Sequence, residues 1–173
     1  IFLVLAWRFG KNKVFWMIAV LAAISLVLSE WGWRSNKPIA NFYLAPTRAW
    51  ELFAGSIAAF VVQKRGVQAN NTLSLIGLAA IVLSFFAYDE TTPFPSVYAL
   101  VPVGGVVLLV LYAGKETLAA KLLSKKAFVG IGLISYSAYL WHQPLFAFAR
   151  IRLLEAPSLA LMGLLSAASL MLA

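Results

Sequence analysis

The sequence contains no cysteine, one histidine and only six acidic residues among 173. The absence of cysteine excludes disulfides, thiolate nucleophiles and cysteine-bearing zinc sites within these residues. No glycine-rich loop of Walker or Rossmann type occurs, so a soluble-style nucleotide site is not supported. A repeat of fixed period and a low-complexity tract are also missing. No segment shows the strict alternation of a membrane barrel strand. Neither a basic leader nor a small-residue cleavage site precedes the first apolar stretch, which is therefore not read as a signal peptide.

What the sequence has in abundance is apolar surface. Hydrophobic residues make up 62% of the chain and charged residues 12%, a composition too apolar for an ordinary soluble domain. In hydrocarbon every backbone N–H and C=O must be paired inside its own element, so long apolar segments become helices. The expected fold is all-α, a polytopic transmembrane helix bundle. With about 17 to 25 residues needed per crossing, the apolar runs at about 14–29, 44–62, 72–88, 97–113 and 127–149 predict five full crossings. Partial crossings flank them at each end. Short connections predict antiparallel neighbours within a single membrane domain over 1–173. Because the sequence opens at Ile1 without methionine and stops at Ala173 inside an apolar run, a piece truncated at both ends is expected.

The formal charge of +8 does not point to nucleic acid, because the cations sit in short clusters between apolar runs and not along one exposed polar face. They fit membrane orientation better. Alternate loops place Arg8, Lys11, Lys13, Lys64, Arg65, Lys115, Lys121, Lys125 and Lys126 on one side. Arg34, Lys37, Arg150 and Arg152 fall on the other, with Arg48 at a helix entrance. The positive-inside rule assigns the first set to the cytoplasm. Trp7, Trp16, Trp31, Trp33, Tyr88 and Tyr112 lie near predicted helix ends, as interfacial aromatics do. Between Lys115 and Lys126, Leu118, Leu122 and Leu123 among four lysines predict a short amphipathic helix on the cytoplasmic surface. Asp89 and Glu90, followed by Thr91, Thr92 and Pro93, read as a solvated turn.

Two stretches carry chemistry. In the first, Asn41 to Gly55, Pro46 leads into a helix that at once presents Arg48 and Glu51. Proline suits a first helical turn, where its missing N–H would have had no partner. The i, i+3 spacing puts Arg48 and Glu51 on one face, where they can pair. One reading is an interfacial arginine with its counter-ion. The other is a pair facing a polar cavity, with the Arg48 fork holding a phosphate, carboxylate or developing oxyanion and Glu51 orienting or deprotonating a hydroxyl.

The second stretch, Gly132 to Pro144, holds the one histidine. Ser135, Tyr139 and His142 stand at i, i+4 and i+7, a single polar stripe on an otherwise apolar helix. Such a stripe is expected to face other helices or water. Pro144 cannot donate to the carbonyl of Leu140, so the helix is expected to bend or loosen beside His142. A histidine hydrogen-bonded between helices, without catalytic work, is the competing reading. Among smaller signals, Gly55 with Ala59 and Ala54 with Ala58 favour close helix packing, and Gly104 and Gly105 either do the same or give flexibility.

At these two stretches the sequence resembles acyltransferase family 3, integral-membrane O-acyltransferases that modify bacterial lipopolysaccharide, peptidoglycan and exopolysaccharides. Phe42-Tyr43 with Pro46-Thr47-Arg48-Ala49-Trp50-Glu51-Leu52, and later Ser135-Tyr136-Ser137 with Tyr139-Leu140-Trp141-His142-Gln143-Pro144, carry the resemblance. They occur in the family's order and with similar spacing. The resemblance implies the latter half of a domain of about ten transmembrane helices in a bacterial cytoplasmic (inner) membrane. It also implies transfer of an acyl group, typically acetyl, from cytoplasmic acyl-CoA to a carbohydrate hydroxyl on the outer side. Acyl-CoA would be the donor substrate, with no bound cofactor, no metal and no nucleic-acid partner. The family's essential Arg and His belong to a first transmembrane helix that nothing here matches, so this piece is expected to be inactive alone. Arg48 and Glu51 are expected in supporting catalytic roles, with Arg48, Ser135, Tyr139 and His142 in acceptor binding. A transporter or flippase is the competing function, because a polar stripe beside a proline can also line a permeation path.

Overall fold

The computed structural model describes residues 10–35, 38–89, 92–152 and 158–172. Among them, all regular structure is helical. The partial crossing expected at 1–7, with Arg8, and the positions Lys37, Glu90 and Thr91 lie outside the described residues. The chain divides into two compact units, Ile1–Lys121 and Leu122–Ala173, and each is described by itself.

The first unit begins with α1 (Lys11–Arg34), whose run of Ala, Leu, Ile and Val lacks any internal Pro. A short α2 (Pro38–Tyr43) turns the chain into α3 (Ala45–Arg65). As expected, Pro46 sits in the first turn of α3, and the helix stops at Gly66, whose φ of 70° is left-handed and costs glycine little. Its N–H closes on the Val62 carbonyl at 2.8 Å. The Asn70 side chain caps α4 (Asn71–Ala87) by accepting from the Leu73 N–H at 3.0 Å. A 3₁₀ turn (Val97–Ala99) runs into α5 (Leu100–Tyr112), and α6 (Leu118–Leu123) follows.

Two helix pairs organise this unit, α1 with α3 and α4 with α5. Along α1 and α3, Val14 and Ile18 are buried beside Phe53, Ile57 and Phe60. The α4–α5 pair meets backbone to backbone: a Cβ on Gly77 would lie 2.7 Å from the Gly105 carbonyl oxygen, and one on Gly105 would lie 2.6 Å from that of Gly77. Gly105 is therefore the packing glycine of the Gly104-Gly105 pair, while a Cβ on Gly104 would meet open space. In α3 the buried small residue is Ala58, whereas Gly55 is exposed.

The second unit contains α7 (Lys126–Arg152), packed on α8 (Leu159–Met171). The bend or loosening expected beside His142 is not seen as a break: α7 continues as one α-helix with Pro144 inside it. Proline removes one N–H and leaves the rest of the ladder intact, which a helix of this length can absorb.

Helices thus occupy all five apolar runs, within a few residues of the expected bounds. Only α1 is both long enough and apolar enough to cross a bilayer, among the described residues. Its 24 residues reach roughly 36 Å at 1.5 Å per residue. The α4 helix and the 97–112 segment are apolar but shorter, while α3 and α7 have the length and carry more polar residues.

Besides Val14, Ile18, Trp50 and three alanines, the buried residues are largely polar, and much large apolar surface stays open. Ser25, Ser29, Asn41, Thr47, Ser74, Ser84, Ser96, Thr117 and Ser169 are buried. Large apolar side chains such as Val27, Leu52, Leu83, Phe85, Phe86, Leu133 and Ile151 are exposed. Small hydroxyl residues at helix contacts allow close approach and hydrogen-bond locally.

The two ends of the first unit differ in chemistry. At one, the start of α1 with Lys11 and Lys13 meets the end of α3 with Lys64 and Arg65. The 66–70 loop at this end is tied to the close of α5 by Gln68 N–H to Leu111 O and Asn70 N–H to Tyr112 O. The expected amphipathic segment is one short helix, α6, anchored by the Leu118 N–H on Asn71 Oδ1 at 2.9 Å. At the other end Asp89 accepts from the Thr92 N–H at 3.1 Å in a tight turn, and the Tyr88 hydroxyl donates to the Tyr98 carbonyl at 2.8 Å.

Candidate functional site

The junction of α2 and α3 is built on buried polar groups. Asn41 donates through Nδ2 to the Ser29 carbonyl at 2.9 Å and to the Pro95 carbonyl at 3.1 Å, tying α1 and the 92–96 segment to the start of the motif. Gly32 makes room for it, because a Cβ there would lie 2.5 Å from Asn41 Oδ1. The Thr47 hydroxyl donates to the carbonyls of Asn41 and Leu44, fixing the turn into α3. Ser25 reaches across from α1, accepting the Trp50 N–H at 2.9 Å and donating to the Pro46 carbonyl. Those two backbone groups are one helical turn apart, the pair that an α-helix joins directly. One serine thus clamps the first turn of α3 to α1.

This clamp sets the direction of Arg48 and Glu51. Arg48 Nη2 lies 3.7 Å from Glu51 Oε2, so the i, i+3 pair expected from the sequence forms. The guanidinium also stands over two aromatic faces, 4.9 Å from the Phe42 centroid and 5.7 Å from that of Phe94, within cation–π range. The two members differ in access: the Arg48 side chain is 39% exposed and that of Glu51 22%. Glu51 Oε1 is fully buried and has no hydrogen-bond partner among the described residues, and the same holds for Trp50 Nε1. A buried acceptor left unpaired is costly unless a further group satisfies it. The pair therefore combines a partly open cation with a carboxylate whose Oε1 is enclosed and left without a partner among the described residues.

The second motif lies along α7. Ser135, Tyr139 and His142 share one helix, and two of the three interact directly: the Tyr139 and His142 rings are 5.3 Å apart, centroid to centroid. Ser135 spends its hydroxyl on the Gly132 carbonyl of its own helix at 2.7 Å. His142 Nδ1 is 2.6 Å from the Tyr139 carbonyl oxygen. A carbonyl only accepts, so Nδ1 is the donor in this contact and Nε2 is the ring nitrogen left for another partner. Within its unit the stripe remains accessible, Ser135 and Tyr139 being exposed and His142 half-buried. Arg48 and Glu51 belong to the first unit, and Ser135, Tyr139 and His142 to the second. No three of His, Cys, Asp and Glu gather as metal ligands would, among the described residues.

Sequence reasoning missed the support of the first motif. Ser25, Ser29 and Gly32 repeat at i, i+4 and i+7 on α1, a small-residue face legible from spacing alone. Phe94 and Pro95 carried no such signal, because their approach to Arg48 and Asn41 depends on a loop more than 40 residues away.

Comparison with known proteins gives one kind of match. The chain is 23% identical over 155 residues to the O-acetyltransferase OatA of Staphylococcus aureus, with the same figures for strains NCTC 8325 / PS 47, COL and MRSA252. The match covers 82% of this chain and 25% of the relative, so the chain spans about a quarter of the length of the curated relatives it matches. No family model and no solved structure matches. The chain is distantly similar to an O-acetyltransferase over most of its length.

Proposed function

We propose that this chain is part of the membrane domain of an O-acyltransferase of family 3 type, which moves an acyl group, acetyl in the first instance, from acyl-CoA to a hydroxyl of an envelope or exported carbohydrate. The bundle lies in the bacterial cytoplasmic membrane, with the lysine-rich end inside and the Arg48–Glu51 end outside. The many exposed large apolar side chains support the bilayer, because Val, Leu and Phe are at home in lipid and not in water. The similarity to OatA supports the reaction class.

The observation that carries the site is the unpaired, buried Glu51 Oε1 beside a half-open Arg48. An acceptor sugar hydroxyl donates to the Glu51 carboxylate and is oriented by it. The hydroxyl oxygen attacks the acyl carbonyl carbon, the bond from that carbon to its carrier breaks, and the hydroxyl proton passes to a base. Arg48 stabilises negative charge on the acceptor or on the developing oxyanion through its planar donor fork. In the second unit, Tyr139, His142 and Ser135 are the polar groups proposed for carbohydrate contact. The essential histidine of the family lies on a helix this chain does not match, so Arg48 and Glu51 act as supporting groups.

The test is transfer from labelled acetyl-CoA to envelope carbohydrate in membranes bearing the full-length parent, at matched protein abundance. Arg48→Ala and Glu51→Gln are expected to lower transfer at least tenfold, and His142→Ala by less. Normal labelling by all three would reduce these residues to packing roles. No labelling by the intact parent across a broad acceptor panel, with substrate crossing the membrane unchanged, would assign a transporter instead.

A further inference from the structure

Arg48 is held by charge and by rings, and by no hydrogen bond. Its Nη2 lies 3.7 Å from Glu51 Oε2, beyond hydrogen-bonding reach, and the guanidinium makes no hydrogen bond among the described residues. What remains are the faces of Phe42 at 4.9 Å and Phe94 at 5.7 Å. A ring face attracts the positive charge through its quadrupole without supplying an oxygen acceptor. The planar donor fork is thereby kept in place with its N–H groups unspent, the state in which it can receive an oxyanion.

The two rings come from distant segments, and one side chain joins those segments. Phe42 follows Asn41 and Phe94 precedes Pro95. Asn41 Nδ2 donates to the Pro95 carbonyl at 3.1 Å and to the Ser29 carbonyl at 2.9 Å, so both amide protons are committed. Asn41 and Pro95 are enclosed, whereas the rings beside them are 41% and 40% exposed. Neither ring belongs to the packed interior, and both turn a face to the same cation. An arginine side chain has several freely rotating bonds, and ordering it only when substrate arrives costs entropy. A guanidinium already fixed avoids that cost as charge develops.

We propose that Phe42 and Phe94 are positioning residues for Arg48. Their faces, set by the buried Asn41–Pro95 tie, present its free donor fork to negative charge on the acceptor or on the reacting acyl group. This rests on the acyltransfer reading above. The rings act through Arg48 and are not themselves catalytic.

The test is the initial rate of acetyl transfer by the full-length protein in membranes at matched abundance, with the denaturation midpoint of each variant in detergent beside it. Phe94→Leu is expected to lower the rate about three- to fivefold, and Phe42→Leu with Phe94→Leu about tenfold, as loss of one and of two cation–π contacts at a partly open site would. Phe86→Leu, which removes an exposed ring from α4, should leave the rate unchanged. Phenylalanines carrying one, two and three ring fluorines at position 94 withdraw π charge while nearly preserving shape. The rate should fall stepwise along that series at a constant midpoint. A rate indifferent to fluorination, or one that follows the midpoint alone, would reduce both rings to packing and overturn the proposal. So would unchanged transfer by the double leucine variant. Unchanged transfer by Arg48→Ala, or no transfer by the unaltered protein, would overturn the reading of the site itself, an outcome distinct from a protein that depends on Arg48 and ignores the rings.

Discussion

At the scale of single residues, a serine hydroxyl decides how a charged pair is presented. Ser25 holds both the Trp50 N–H and the Pro46 carbonyl, and it is almost fully buried. Replacing it with alanine removes both bonds and leaves a buried carbonyl and N–H to find each other without help. Ser25→Ala is expected to cost about 1 to 3 kcal/mol of stability, the range for stranding buried hydrogen-bonding groups. The check is the denaturation midpoint of the full-length protein in detergent, read beside acyl transfer at matched abundance. Unchanged stability together with unchanged transfer would show that α3 is oriented without this clamp. The Arg48–Glu51 pair itself adds little to stability, since an ion pair so open to its surroundings is weakened by screening. Its significance lies in the unpaired carboxylate oxygen.

At the scale of elements, close approach of backbones matters more than apolar volume. The reciprocal contact of Gly77 and Gly105 leaves no room for a methyl group on either helix. Gly105→Ala is expected to destabilise the α4–α5 pair by about 1 to 3 kcal/mol, as overpacking does. Gly104→Ala, whose Cβ would meet open space, is expected to be neutral or slightly stabilising, because alanine favours a helix interior by roughly 0.5 to 1 kcal/mol over glycine. Thermal denaturation of the two variants in one detergent gives the comparison. Equal midpoints would mean that the α4–α5 contact is looser than its geometry. Helix α7 teaches a different lesson, since it accommodates Pro144 and directs His142 Nδ1 to the Tyr139 carbonyl, within its own turn.

At the scale of the molecule, the first unit has a lysine-rich end and an end that carries Arg48, Glu51 and the Tyr88–Tyr98 contact. Because this sequence has no cysteine, introduced cysteines can report on each end separately. In a full-length protein otherwise free of cysteine, Gln68→Cys is expected to react with a membrane-impermeant maleimide from the cytoplasmic side, and Val97→Cys from the outer side. Both side chains are exposed. Labelling of both from one side would contradict the proposed orientation and, with it, an acceptor site facing outward.

The sequence by itself determined where the helices lie. Long apolar runs in lipid leave the backbone no hydrogen-bond partners but its own, and the Pro46 turn marks the start of one of them. It also determined that Arg48 and Glu51 share a face, because i, i+3 spacing is a property of the helix and needs no tertiary contact. Its small residues announced close packing without saying which would meet: Gly105 rather than Gly104, and Ala58 rather than Gly55, depends on the rotation of each helix about its axis. Only the tertiary structure brought Ser25, Asn41, Phe94 and Pro95 to the start of α3, and only it set the start of α1 beside the end of α3. Helix formation is local and periodic, and so it can be read along the chain. The pairing of helix faces is set by packing and hydrogen bonds between distant segments, which only the folded arrangement specifies.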